Sequence, residues 1–335
     1  MSSSTKNTVI FPAVALTVLL LFAANLLFGA VRIPAGDVLR ILSGTFEGRP
    51  VFRHIVLESR LPQAITALLA GSSLAVSGLL LQTLFRNPLA GPSILGISDG
   101  ANLGVALVMI YFAANSYLAS ILAAFTGAIV ILAIIIAFSR RVHNNVMLLI
   151  IGIMVGYLAS SAISILNYRA SADKVHQFVM WGMGDFSAVS VAKLPYFAIT
   201  AAIGMVLSLL LVKPLNALLL GEAYASNLGI RIRRTRILVL LCTGLLTAAT
   251  TAFCGPVSFI GLAVPHIARM LLGTSNHKIL VPATILAGAA TALLCNLLTT
   301  TPSGEALPLN AITPLIGAPI IIYVILNRRN LHYFN

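Results

Sequence analysis

Charge is what this sequence has least of. Asp, Glu, Lys and Arg make up 9% of its 335 residues, where a soluble domain carries about a quarter. Hydrophobic residues are 59% and the mean hydropathy is +1.01, so one water-soluble globule could not hide the apolar surface. A soluble enzyme or binding domain is thereby excluded. Acids are scarcest, 8 against 21 Lys and Arg. The three cysteines, Cys242, Cys254 and Cys295, lie inside apolar runs without Cys-x-x-Cys spacing. They are therefore read as small packing residues rather than metal ligands. Catalytic signatures are also missing: there is no H-E-x-x-H, no G-x-S-x-G and no G-x-x-x-x-G-K-[ST] loop. No catalytic residue, metal site or nucleotide-binding loop is expected in this chain.

Long apolar runs are what the sequence has instead. They extend over about 20 residues, enough to cross ~30 Å of hydrocarbon as helices. Barrel strands would show ~10-residue alternating segments. Ten spans are expected, at roughly 9–30, 61–83, 93–111, 117–138, 146–167, 194–212, 237–254, 256–272, 279–299 and 311–327. The first is too long for a secretory h-region and is read as an uncleaved span. The seventh and eighth are separated only by Gly255 and Pro256. The fold class is an all-α polytopic membrane protein, residues 1–335 forming a single transmembrane domain.

Ten spans place both termini on one side. With the N-terminus inside, the inner segments hold 13 of the 21 basic residues and one acid, Glu222; the outer ones hold the other 8 with six acids. Lys and Arg favour the cytoplasmic side, so both termini are read as cytoplasmic. The net charge of +13 then reflects membrane topology, and nucleic acid is not needed as a partner.

Gly96, Gly100 and Gly104 recur at four-residue spacing in the third span, as Gly152, Gly156 and Ser160 do in the fifth. Such stripes permit close helix packing, and the same smooth faces could let helices shift during transport. His266 and Arg269 lie one helical turn apart in "VPHIARM", either as an intramembrane polar active site or as a cap and anchor. Asp99 is the sole acid within a span. One acid near the interface is a poor proton relay, which weakens an ion-gradient-driven secondary transporter as the alternative function.

Four segments occur together in order: "RLPQAITALLAGSSLAVSGLLLQTLFRNPLAGPSILGISDGANLG", "GEAYASNLGI", "GPVSFIGLAVPHIARMLLG" and "LPLNAITPLIGAPIIIYVIL". Over about residues 55–329 the chain closely resembles the permease subunits of type II ABC importers for iron–siderophore complexes, haem and vitamin B12. The resemblance implies ten transmembrane helices in the bacterial cytoplasmic (inner) membrane. It also implies a homodimer with the path on its two-fold axis, two cytoplasmic ATPase subunits and an extracytoplasmic substrate-binding protein. ATP would be hydrolysed on the partner subunit, with no cofactor bound by this chain.

The resemblance further implies roles for particular residues. The segment at about 213–236 corresponds to the cytoplasmic coupling element. Its expected ATPase contacts are Leu218, Gly221, Glu222, Ala223, Ala225 and Leu228, with Glu222 pairing with a basic group on the partner. Arg231, Arg233, Arg234 and Arg236 are expected to hold the next span at the anionic lipid surface. Asn144, Asn145 and Val146 match the cytoplasmic gate, the amides bonding across the two-fold. Arg60 matches a residue that docks the binding protein. Gln63 and Thr299 depart from the family's arginine pattern, and Arg53 is the expected substitute. Arg169 stands at the outer mouth of the path, either drawing anionic cargo or anchoring at the interface.

Overall fold

The computed structural model describes residues 3–112, 116–142, 144–300 and 307–326. Among them are fourteen helices: α1 (Ser3–Leu27), α2 (Ala35–Ser43), α3 (Pro50–Phe85), α4 (Ile97–Tyr111), α5 (Tyr117–Ser139), α6 (Asn145–Arg169), α7 (Ala172–Gly182), α8 (Leu194–Leu210), α9 (Val212–Leu219), α10 (Glu222–Asn227), α11 (Ile232–Cys254), α12 (Ile260–Leu272), α13 (His277–Thr299) and α14 (Leu309–Leu326). Each of the ten expected spans falls on one of these helices. α1, α3, α5, α6, α11 and α13 are long and apolar enough to cross a membrane alone. α8 qualifies together with α9 across a 51° bend, while α4, α12 and α14 are shorter.

Burial separates the helices into an inside and an outside. The most apolar window of α3 is 83% buried and that of α11 78%, against 17% for α1 and 22% for α6. α3 is the hub, packed against α13, α12 and α11. Its small residues set that position. A Cβ on Gly71 would land on the carbonyl oxygen of Gly288 in α13, and one on Gly78 on that of Gly261 in α12. Such crossings bring backbones together where side chains would hold them apart. Several polar side chains between the helices pair with one another. Asn25 of α1, Asn296 of α13 and Gln63 of α3 form a hydrogen-bonded chain, with links of 2.7 and 3.0 Å.

The glycine stripes divide their work differently from the sequence reading. Gly100 and Gly104 do line one face of α4, against Gly127 and Ala123 of α5. Gly96 is not part of that stripe. It precedes the helix in the left-handed region, φ 71°, and lies beside Gly152 and Gly156 of α6. Four-residue spacing places Gly96 on a helix face only if the helix has already begun, and it begins one residue later.

The eighth span also departs from expectation, because its first turn is unwound. α12 starts at Ile260 and has 13 residues, about 20 Å at 1.5 Å per residue. Residues 255–259 form non-helical backbone, with Phe259 at φ 66°. Irregular backbone at membrane depth needs protein partners, and Asn310 of α14 supplies them. Its amide donates to the carbonyls of Pro256 (2.7 Å) and Gly182 (3.1 Å), and its oxygen accepts from Ser258 N and Oγ.

Candidate functional site

Between α8 and α11 the chain makes the longest of the connections at the arginine-rich end of the bundle. After α8 the chain bends at Leu211 and enters α9, whose Leu215, Ala217 and Leu218 are buried. Gly221, at φ 106°, makes the next turn; a side chain there would strain the backbone irrespective of space. α10 follows for six residues, with Glu222 in its first turn, where the helix dipole favours an acid. Gly229, at φ 80°, ends it. Ala217, Leu218 and Ala225 form a small separate core, flanked by Ile230 and Ile232. The segment is therefore a folded unit rather than a loose loop.

Glu222 is the point at which this unit meets the bundle. Its Oε1 accepts from Asn145 Nδ2 at 2.9 Å and from Arg236 NH2 at 3.4 Å. The same Asn145 amide donates to the carbonyl of Leu84 at the end of α3 (3.1 Å), and Arg236 NH1 donates to the carbonyl of Val142 (3.0 Å). The Arg236 side chain is 7% exposed and that of Glu222 40%. One carboxylate thus ties the ends of α3, α6 and α11 and the 140–144 connection to α10.

This geometry brings together residues that the sequence reading assigned to separate sites. The Asn145 amide N–H groups donate to Leu84 and Glu222 within the same chain. Asn144 is the N-cap of α6, its side chain accepting from the backbone N–H of Val146 and Met147. Val146 is exposed. Glu222 already has a basic partner in its own chain, Arg236. Arg236 is correspondingly buried and does not share the lipid-facing role expected of Arg231, Arg233 and Arg234, which are exposed.

Leu218 and Ala225 are also internal, at 4% and 0% exposure, and so present no surface to a partner. Gly221 shapes the turn, while Ala223 and Leu228 are exposed. Two exposed residues of the same surface escaped the sequence reading, Leu220 and Tyr224. Both are large side chains left exposed beside a helical turn.

At the opposite end Arg60 is turned inward and 5% exposed. Its guanidinium donates to the carbonyls of Leu26 (2.8 Å), Leu27 (3.0 Å) and Val31. These include the last carbonyls of α1, which have no intrahelical partner. Arg60 therefore holds α1 to α3, its guanidinium turned to backbone carbonyls rather than to the surface. Arg53 and Arg169 are exposed. Asp99 lies in the first turn of α4, where the helix N-terminus accommodates an acid. His266 and Arg269 are buried: His266 Nε2 lies 2.7 Å from the carbonyl of Pro88, and Arg269 NH1 donates to Gln82 Oε1 at 2.6 Å. They join α12 to the end of α3 and the loop after it.

Known proteins share this sequence and architecture. The chain is 37% identical to the hemin transport system permease HmuU of Yersinia pestis over 282 residues, covering 82% of this chain and 84% of that protein. It is 34% identical to the molybdate import system permease MolB of Haemophilus influenzae over 317 residues, covering 91% and 92%. It is 33% identical to the ferric enterobactin permease FepD of Escherichia coli over 331 residues, covering 97% of each. A solved inward-facing conformation of a metal-chelate type ABC transporter superimposes with a TM-score of 0.84 at 31% identity, covering 95% of this chain and 99% of that one. Residues 16–327 match the FecCD transport family. The chain belongs to the FecCD transport family and is the membrane-spanning permease subunit of an ABC importer.

Proposed function

We propose that this permease moves a large metal-bearing organic molecule, a ferric siderophore, haem or cobalamin, into the bacterial cytoplasm. Three of the cargo types named for its relatives are of this kind: hemin, ferric enterobactin and vitamin B12. Two copies enclose the path, each seated on a cytoplasmic ATPase subunit, and a binding protein delivers cargo to the outer face near Arg53. Both termini and the 213–236 segment lie in the cytoplasm, as the basic bias favours.

Coupling is carried by α9 and α10, which present Leu220, Ala223, Tyr224 and Leu228 to the ATPase. The observation that carries this reading is the 2.9 Å hydrogen bond from Asn145 to Glu222. It links the first turn of the coupling helix directly to the first turn of α6, beside the gate residues Asn144 and Val146. A displacement of α10 by the ATPase would therefore reach α6 without an intermediary, biasing a two-state bundle. Arg169, exposed at the end of α6, is suited to draw anionic cargo towards the outer mouth.

The test is uptake into proteoliposomes holding the permease with its own ATPase and binding protein. Haem, a ferric catecholate, cobalamin and molybdate would be supplied in parallel. ATP-dependent accumulation of one of the first three is expected. Accumulation of molybdate alone would overturn the cargo class.

A further inference from the structure

The coupling segment has a second neighbour. A groove of about 500 Å³ lies where the 51° bend between α8 and α9 parts the chain from the start of α11, within the size range of small-molecule sites. Its walls are Leu207 and Leu210 of α8 and Leu238 and Leu241 of α11, and Arg231 and Arg234 stand at its mouth. No acidic residue lines it. Neither arginine has a hydrogen bond or ion pair among the described residues. The N-terminus of α11 between them carries no side-chain cap, so its first N–H groups face outward as an anion-favouring end.

We infer that this groove is a binding site for one anionic diacyl phospholipid of the leaflet at the basic end. Leu238 and Leu241 lie one to three turns inside a spanning helix, and Leu207 and Leu210 occupy the last turn of another. The floor is thus at hydrocarbon depth, where an acyl chain fits and a soluble ATPase does not reach. The two guanidinium groups and the helix N-terminus converge at headgroup depth, which selects a phosphate without a compensating cation. Pro214 of α9 and Ile230 also border the groove, so an occupant would touch the coupling segment itself.

Native mass spectrometry of the complete importer would compare retention of dioleoyl phosphatidylglycerol with that of dioleoyl phosphatidylcholine. Preferential retention of phosphatidylglycerol is expected. Arg231→Gln with Arg234→Gln should weaken it by about five-fold per arginine. Arg233→Gln, whose side chain does not line the groove, should weaken it less than either groove arginine does. Equal retention of both lipids would overturn the site, as would an unaltered double variant. Competition by glycerol phosphate as strong as that by the intact lipid would also overturn it, because the acyl chain would then be irrelevant. Should the double variant fail to fold, a benzophenone amino acid replacing Leu207 in the otherwise unaltered chain gives a separate reading. Adducts of phospholipid mass are expected, and a crosslink to the ATPase or to the second copy would overturn the inference.

Discussion

Replacing Asn145 by Leu tests the link between the coupling segment and α6 most directly. The substitution nearly preserves volume but removes both amide bonds, to Leu84 at 3.1 Å and to Glu222 at 2.9 Å. A hydrogen bond to a charged group contributes roughly 1.5–3 kcal/mol. The Glu222 side chain is 40% exposed, and screening reduces the contribution to about 1–2 kcal/mol. A bias of that size corresponds to a factor of about 5–30 in a two-state population. The assay is uptake per ATP hydrolysed in proteoliposomes containing the complete importer. Asn145→Leu is expected to lower that ratio 5- to 30-fold on the same estimate, while ATPase activity and monodispersity persist. Glu222→Ala should act through the same bond, so the two changes together should fall short of additivity by about 1 kcal/mol. A correctly assembled Asn145→Leu importer with unchanged uptake per ATP, or strictly additive effects, would refute the reasoning.

The surface assignment predicts that Leu228→Arg and Tyr224→Ala reduce co-purification of the ATPase by an order of magnitude or more, whereas Ala225→Leu instead unfolds the small core around it; pull-down and limited proteolysis separate these. At the other end, Arg60→Gln should lower the melting temperature by several degrees, because carbonyls of Leu26, Leu27 and Val31 lose a charged donor. Arg53→Ala should leave the melting temperature unchanged and weaken binding-protein affinity in a titration. Gly78→Ala should destabilise by at least 1–3 kcal/mol, roughly the penalty of overpacking, since the new methyl meets the Gly261 backbone; thermal unfolding in detergent would show it. Finally, Asp99→Asn should leave ATP-driven uptake intact in the presence of an ionophore, and loss of uptake would return the acid to a role in ion coupling.

The spans were legible because each is a local property: apolar length and composition are set by the bilayer, whatever the neighbouring helices do. The family landmarks were legible for a related reason, since their residues are contiguous. What local pattern could not show was where a side chain points. Arg60 and Arg236 look like the other arginines near span ends, yet both are buried. Each has carbonyls within reach that belong to segments distant in sequence. Leu218 and Ala225 sit among motif residues, but the turn at Gly221 folds them against each other. Asn310 gave no sequence signal for its work on the unwound turn before α12, because its partners Pro256 and Gly182 lie 54 and 128 residues away.

The sequence alone therefore determined that this chain spans a membrane as helices, which segments do so, and which family of importers it belongs to. Those properties follow from the free energy of transferring each run into hydrocarbon and from the order of short motifs. Only the tertiary structure decided which charges are internal brackets and which are exposed. Desolvating a guanidinium or a carboxylate is unfavourable unless a partner meets it, and the meeting of Asn145, Glu222 and Arg236 is made by the packing of three helix ends. No local pattern in the chain records that meeting.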